Sequence, residues 1–167
     1  SSYNSWSGYN DELCFGAAWL ARACEAAGQD DAIYRQKAID IYTESIGGLA
    51  TDGTYSWDDC SYGAAILLAN DSGLDVFRAD VERWLDSWVN GTNGVQKTNG
   101  GLRYIRPWGS LRYAANTAFM AAIYAEEAGD PTGLYQSLAK ETVDYITGEN
   151  PLNRSYIVGY GANAPER

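Results

Sequence analysis

The chain has 167 residues, a net charge of −10, no histidine, and an aromatic share of 13% that includes six Trp and thirteen Tyr. That length supports one domain with a substantial core. The acidic balance disfavours a polyanionic partner such as nucleic acid, and an anionic membrane surface, and suits a neutral polysaccharide or a cation better; the missing imidazole excludes any mechanism within these residues that needs one.

The apolar spacing predicts helix after helix. The first runs from Asp11 to Ala27, with Leu13, Phe15, Ala17, Ala18, Leu20, Ala21 and Cys24 at three and four spacing and Gly28 as its stop. The second, Asp31 to Ile46, repeats the format and ends on Gly47-Gly48. The third spans Asp58 to Asn70, the fourth Asp75 to Val89, the fifth Ser110 to Ala128 and the sixth Pro131 to Thr147, with Pro131 near a first turn. Connections within pairs are short, at 28–30, 72–74 and 129–130. Those between pairs, 47–57 and 90–109, are long and hold Gly, Asn, Thr, Tyr and Trp, as a functional surface would. From Asn150 the tail is not helical, and SYIVGYG reads as a short extended piece. The class is therefore all-α, as three antiparallel helical hairpins in series. Three such hairpins form an open superhelix or part of a toroid, and part of a toroid would leave an apolar edge bare. The reading therefore expects a missing half. The chain opens without Met or a leader-like stretch, which fits a processed or incomplete chain.

Cys14, Cys24 and Cys60 lack metal-finger spacing. Cys14 and Cys24 sit on one predicted helix and should not bridge each other. Either could pair with Cys60, and free buried thiols are an equal reading. Sequons at Asn70, Asn90 and Asn153 are compatible with secretion. The aromatic load raises the expectation of carbohydrate, because Trp and Tyr rings stack on the CH faces of sugars, although large aromatic cores give the same composition.

Two constellations stand out. Trp108 and Arg112 are four apart, which on a helix shares a face, and the small residues Ala114, Ala115, Ala118, Ala121, Ala122 and Ala125 follow. An indole beside a guanidinium suits a flat, polar ring; a core indole and a surface ion-pair partner give the same spacing. At the N-terminus, Asp11 and Glu12 open the first helix, with Ser7 and Gly8 just before. Hydroxyl, carbonyl and carboxylate oxygens at one turn suit Ca2+, and an Asp from Asp58-Asp59 could complete the set if the two helix starts adjoin. Plain helix capping is the competing reading.

Four motifs carry a resemblance: YNSWSGYNDELCFGAAWL at 3–20, YSWDDCSYGAAILLA at 55–69, GGLRYIRPWGSLRYAANTAFMAAIYA at 100–125 and YITGENPLNRSYIVGYGANAPER at 145–167. Together they resemble the catalytic domain of family nine glycoside hydrolases, inverting endo-β-1,4-glucanases or cellulases, in the family's order and over essentially the whole chain. The resemblance implies about half of an (α/α)6 barrel, its C-terminal-central part, with residues 1–167 as one partial catalytic domain. It implies that Tyr3, Trp6, Trp108 and Arg112 line a β-1,4-glucan cleft. It implies a structural Ca2+ held by Ser7, Gly8, Asp11, Glu12 and Asp58, with Asp58 a better match than Asp59. The family's Asp-Ala-Gly-Asp base motif and His-His-Arg motif are not in this sequence, so no catalytic residue is assigned within it. Inversion needs one protonated and one ionised carboxyl roughly 6.5–9.5 Å apart, and the Asp30-Asp31 and Gly129-Asp130 turns lie on the short-loop ends. The expectation is a portion of a secreted endoglucanase whose partners are a β-1,4-glucan chain and the remaining half of the catalytic domain. A non-catalytic glucan-binding or structural half-barrel is the alternative, and periodicity alone would also allow an unrelated helical-repeat interaction protein.

Overall fold

The Ala- and Leu-rich run after Asn10 favours helix despite Gly16, and Asp11 and Glu12 in its first turn suit the helix dipole. In the computed structural model, which describes residues 4–161 and 163–166, this run is α1 (Asn10–Ala26). It is followed by α2 (Ala32–Ile41), α3 (Ser61–Asp71), α4 (Asp75–Asn90), a two-residue β-hairpin of β1 (Gln96–Lys97) and β2 (Arg103–Tyr104), α5 (Ser110–Ala128) and α6 (Leu134–Thr147). The chain divides into two compact units, Ser1–Trp84 and Leu85–Arg167, with the boundary inside α4.

In the first unit, Cys14, Ala17, Ala18 and Ala21 form the buried stripe of α1. Their small side chains let α2 and α3 pack closely against it. Residues Ser61 to Ala69 of α3 are all buried, the mark of a helix enclosed on every side. Gly63 faces Phe15, and a Cβ there would stand 2.8 Å from that ring. The Trp84 indole lies 4.8 Å from the Tyr62 ring, centroid to centroid, and donates to the Gly53 carbonyl at 3.0 Å. The middle helical pair meets through this contact.

In the second unit, α5 and α6 form an antiparallel hairpin with Tyr124 and Tyr135 edge to face at 5.7 Å. Buried Arg103 on β2 ties three elements together: its Nε donates to the Val89 carbonyl at 3.1 Å and its Nη1 to Glu141 at 2.7 Å. Asn150 sets the course of the tail. Its amide donates to the Tyr145 and Arg154 carbonyls, both at 2.7 Å, while its carbonyl accepts from the Leu152 and Arg154 N–H groups.

Several bounds differ from expectation. The predicted second helix ends as an α-helix at Ile41; Tyr42–Ile46 widens to π-type bonding, with the Gly47 N–H returning to the Tyr42 carbonyl. The third starts at Ser61, because Asp59 caps it by accepting from the Ser61 N–H at 3.0 Å and hydroxyl at 2.5 Å. The sixth starts at Leu134, because Pro131–Gly133 forms a turn closed from the Gly133 N–H to the Asp130 carbonyl. The tail at 155–161 forms bends and turns where an extended piece was expected. The hairpin inside the 90–109 connection has no counterpart in the helical reading. Cys14, Cys24 and Cys60 are free thiols.

Each unit shows bare apolar side chains. The first exposes Leu13, Trp19 and Leu20 on α1 and Ile33 on α2; the second exposes Phe119, Val143, Ile157 and Val158. No helix among the described residues is long and apolar enough to cross a membrane.

Candidate functional site

Each unit builds one chemically forward cluster. In the first, the loop before α1 folds back on the turn before α3. The Trp6 N–H donates to Asp58 Oδ1 at 2.8 Å, and the Ser7 hydroxyl donates to the Asp58 backbone carbonyl. The same Ser7 oxygen lies 3.4 Å from Asp11 Oδ1. The other Asp11 oxygen accepts from the Cys60 N–H at 2.9 Å and its thiol at 3.5 Å. The two helix starts therefore adjoin, and four of the five expected cation ligands, Ser7, Asp11, Glu12 and Asp58, stand together. Gly8 is beside them, but its carbonyl accepts from the Ser5 hydroxyl at 2.6 Å. Asp59, the other candidate, is turned to Ser61 as a helix cap.

Asp11 is only 3% exposed. Burial alone would push its carboxyl up; the Cys60 N–H, the Glu12 carboxyl and the Cys60 thiol outweigh that and hold it below the ordinary carboxylate range. Glu12 moves the other way, raised first by its hydrogen bond to Asp11 and then by loss of water. The two carboxyls are thus displaced in opposite directions by one hydrogen bond between them. Burial, with Asp11 second, pushes the Cys60 thiol up to about 12, so no thiolate is offered to a soft metal. Among the described residues, no three Cys, Asp or Glu side chains close into a metal cage by themselves. The converging donors are a hydroxyl, a backbone carbonyl and two carboxyls, a hard-oxygen set that fits a calcium-like cation.

In the second unit, Trp108 precedes the helix: Gly109, left-handed at φ +65°, is the cap and Ser110 begins α5. The expected contact with Arg112 is made by this turn. The Arg112 guanidinium lies over the indole at 5.1 Å and over the Tyr113 ring at 4.6 Å, and its Nη2 donates to the Tyr113 hydroxyl at 2.7 Å. Arg106 stands over the Tyr113 ring at 5.8 Å. Arg106, Arg112, Tyr113 and Trp108 thus form a ladder of alternating cations and rings. Trp108 is 77% exposed, so it takes no part in the core formed by these residues. Trp6 belongs to the first unit and is 84% exposed, with its backbone fixed to Asp58. Tyr3 lies outside the described residues. Sequence reasoning missed Ser5, Cys60, Arg106 and Tyr113. The Ser-x-Ser-Gly run before α1 could have pointed to Ser5, whereas Arg106 and Tyr113 are brought together across a Pro-Trp-Gly break that has no periodicity to read.

Known proteins match this chain along nearly its whole length. The chain is 42% identical to Endoglucanase A of Bacillus pumilus over 172 aligned residues, covering 98% of this chain and 25% of that protein. It is 39% identical to Endoglucanase B of Cellulomonas fimi, covering 16% of it. The crystal structure of the cellulase Cel9M of C. cellulolyticum superposes with a TM-score of 0.84 at 33% identity, over 98% of this chain and 36% of that one. Endoglucanase CelQ from Clostridium thermocellum, solved with cellobiose and cellotriose, gives 0.84 at 38% identity, over 98% of this chain and 28% of that one. The chain thus spans between about a sixth and a third of these relatives, and its six helices are a portion of an (α/α)6 barrel. The sequence profile described as Glycosyl hydrolase family 9 matches residues 1–167 throughout, and with the order of the helices and the Trp108–Arg112 wall this places the chain in that family.

Proposed function

We propose that this chain is the cleft-wall portion of a secreted endoglucanase that hydrolyses β-1,4-glucosidic bonds in cellulose or related β-glucans with inversion. The observation that carries the reading is the exposed Trp108 indole with the Arg112 guanidinium against it and the Tyr113 ring, in a chain that matches the family from end to end. An exposed indole offers a face to the CH surface of a glucose ring. Arg112 has one N–H on Tyr113 and presents others to sugar hydroxyls. Trp6, and Tyr3 by resemblance, add further platforms. These groups bind and orient the glucan; positioning of this kind lowers the barrier only when proton transfer is also supplied. The acid and base that perform the transfer belong to sequence outside these residues, since neither family motif occurs here. The bare apolar side chains of both units are the surfaces that the remaining half of the catalytic domain covers.

A structural Ca2+ is part of this reading. Bound at Ser7, Asp11, Glu12 and Asp58, it would cross-link the N-terminal loop to the starts of α1 and α3 and so fix the backbone that carries Trp6.

The test is hydrolysis of cello-oligosaccharides by the longer protein that contains this chain, with the anomeric form of the fresh product followed by NMR. Release of the α-anomer is expected. No cleavage, or release of the β-anomer, refutes the reading.

A further inference from the structure

The charge of this chain is unevenly distributed. Residues 87–125 hold four of its twelve basic residues and none of its twenty-two acidic ones. Of the four, Arg103 is buried and paired with Glu141. Arg106 and Arg112 are both exposed, and both guanidiniums lie over the Tyr113 ring, at 5.8 and 4.6 Å from its centroid. Among the described residues neither has a carboxylate within ion-pair distance. In a chain carrying a charge of −10, two such guanidiniums beside an open indole form a local positive field.

A neutral glucan needs no such field, because one guanidinium and the rings already supply donors and stacking faces. Arg is the side chain whose planar fork matches a carboxylate with two parallel hydrogen bonds. The ladder also holds the Arg106 fork against Tyr113, so less side-chain freedom is lost on binding. We propose that Arg106 is a specificity-determining residue which, with Arg112, makes a subsite beside Trp108 for a carboxylate on the sugar chain. The preferred substrate class would then be an acid-substituted β-1,4-glucan, such as one carrying glucuronate units. This rests on the glucanase reading above and deepens it. Unlike the stacking on Trp108, the carboxylate contact is long-ranged and screened by salt, with a Debye length of about 10 Å at 0.1 M.

The experiment uses the longer protein, as wild type and as the variants Arg106→Gln and Arg106→Lys. Binding of cellohexaose and of its C6-oxidised counterpart is measured by calorimetry at 20 and 500 mM NaCl, with hydrolysis of both followed in parallel. The wild type should favour the oxidised chain over the neutral one by at least about fivefold more than Arg106→Gln does at 20 mM, in the range of a single partly exposed charge pair. Arg106→Lys should keep at least half of that preference, and 500 mM NaCl should abolish it. Equal preference in wild type and Arg106→Gln, or a preference that ignores salt, overturns the proposal. Were Arg106 instead the partner of an acidic side chain elsewhere in the longer protein, Arg106→Gln would lower Tm and leave the preference unchanged, which also overturns it. Failure of the wild type to cleave either chain refutes the glucanase reading, while the binding preference still decides this one.

Discussion

Replacing Glu12 with Gln tests the carboxyl pair directly. In the cation-free protein Glu12 has its pKa raised above 4.5 and Asp11 is held below 3.8, so Glu12 gives up its proton after Asp11 as pH rises. A raised acid contributes stability that is fully present below its unfolded pKa and is lost as pH rises through the folded value. Without a cation, the wild type should therefore lose stability as pH climbs from 4.5 through that higher value, as two carboxylates come to face each other. A Ca2+ at this site competes with protonation of Glu12, so its stabilising effect should grow over the same interval. At a hundred times its dissociation constant a cation adds about 2.7 kcal/mol. For a cooperative unit of this size that is about 5–10 °C in Tm. Gln keeps a donor toward Asp11 but removes the charge. The Glu12→Gln variant should show a flat Tm against pH between 4.5 and 7.5 in EGTA, and less than a third of the wild-type Ca2+ shift at pH 7.5. Differential scanning calorimetry with and without 1 mM CaCl2 at both pH values reads all four quantities. A Ca2+ shift of equal size in the variant, or none in the wild type at pH 7.5, would refute both the role of the Glu12 carboxyl and the site.

Trp108→Ala in the longer protein should raise KM for cello-oligosaccharides about tenfold, the equivalent of about 1.4 kcal/mol, with Tm nearly unchanged because the ring is exposed. Gly53→Ala places a Cβ 1.9 Å from the Tyr62 hydroxyl oxygen and should destabilise the fold by about 1–3 kcal/mol, read by urea unfolding. Asp130 accepts from the Tyr135 and Gln136 N–H groups at 2.8 and 3.0 Å as the cap of α6. Burial works against its charge, but these bonds and the Thr132 hydroxyl hold its carboxyl below 3.8. That stability is present above the unfolded pKa and is lost as pH falls through the lower folded one. Asp130→Ala should therefore cost about 1 kcal/mol at pH 7 and progressively less below pH 4 in a chemical denaturation series. Residues 1–167 expressed alone should show no turnover of carboxymethylcellulose, and measurable release of reducing sugar would show that an acid and base lie within them.

The helices were legible wherever a cap and an apolar stripe agreed. Ser110 to Ala128 is both the predicted and the observed α5, because Gly109 and Gly129 mark it at each end. The adjacency of Asp11 and Asp58 came from the resemblance, since helix spacing alone offers it only as a condition, and the hydrogen bonds of Ser7, Trp6 and Cys60 now show it. The start of α3 was not legible: either Asp58 or Asp59 could precede the helix, and the hydrogen bonds show Asp58 facing Trp6 and Ser7 while Asp59 faces Ser61. The π-type turn after Ile41 was hidden for a related reason. Periodicity continues through Ile46, while the buried Tyr42 ring, 5.3 Å from Phe77 and hydrogen-bonded to Asp80, sets the backbone. The Trp108 and Arg112 spacing pointed to a true contact by way of a helical face that does not exist there.

The Asn150 amide that steers the tail also has a chemical lifetime. Asparagine side chains decay in water when the next residue's backbone nitrogen attacks them, and Pro151 has no N–H with which to do so. The knot made by Asn150 should therefore age slowly. Asn90, Asn93 and Asn99, each followed by glycine, have no such shelter. Over long storage the connection between α4 and α5 should be where this protein first acquires new negative charge.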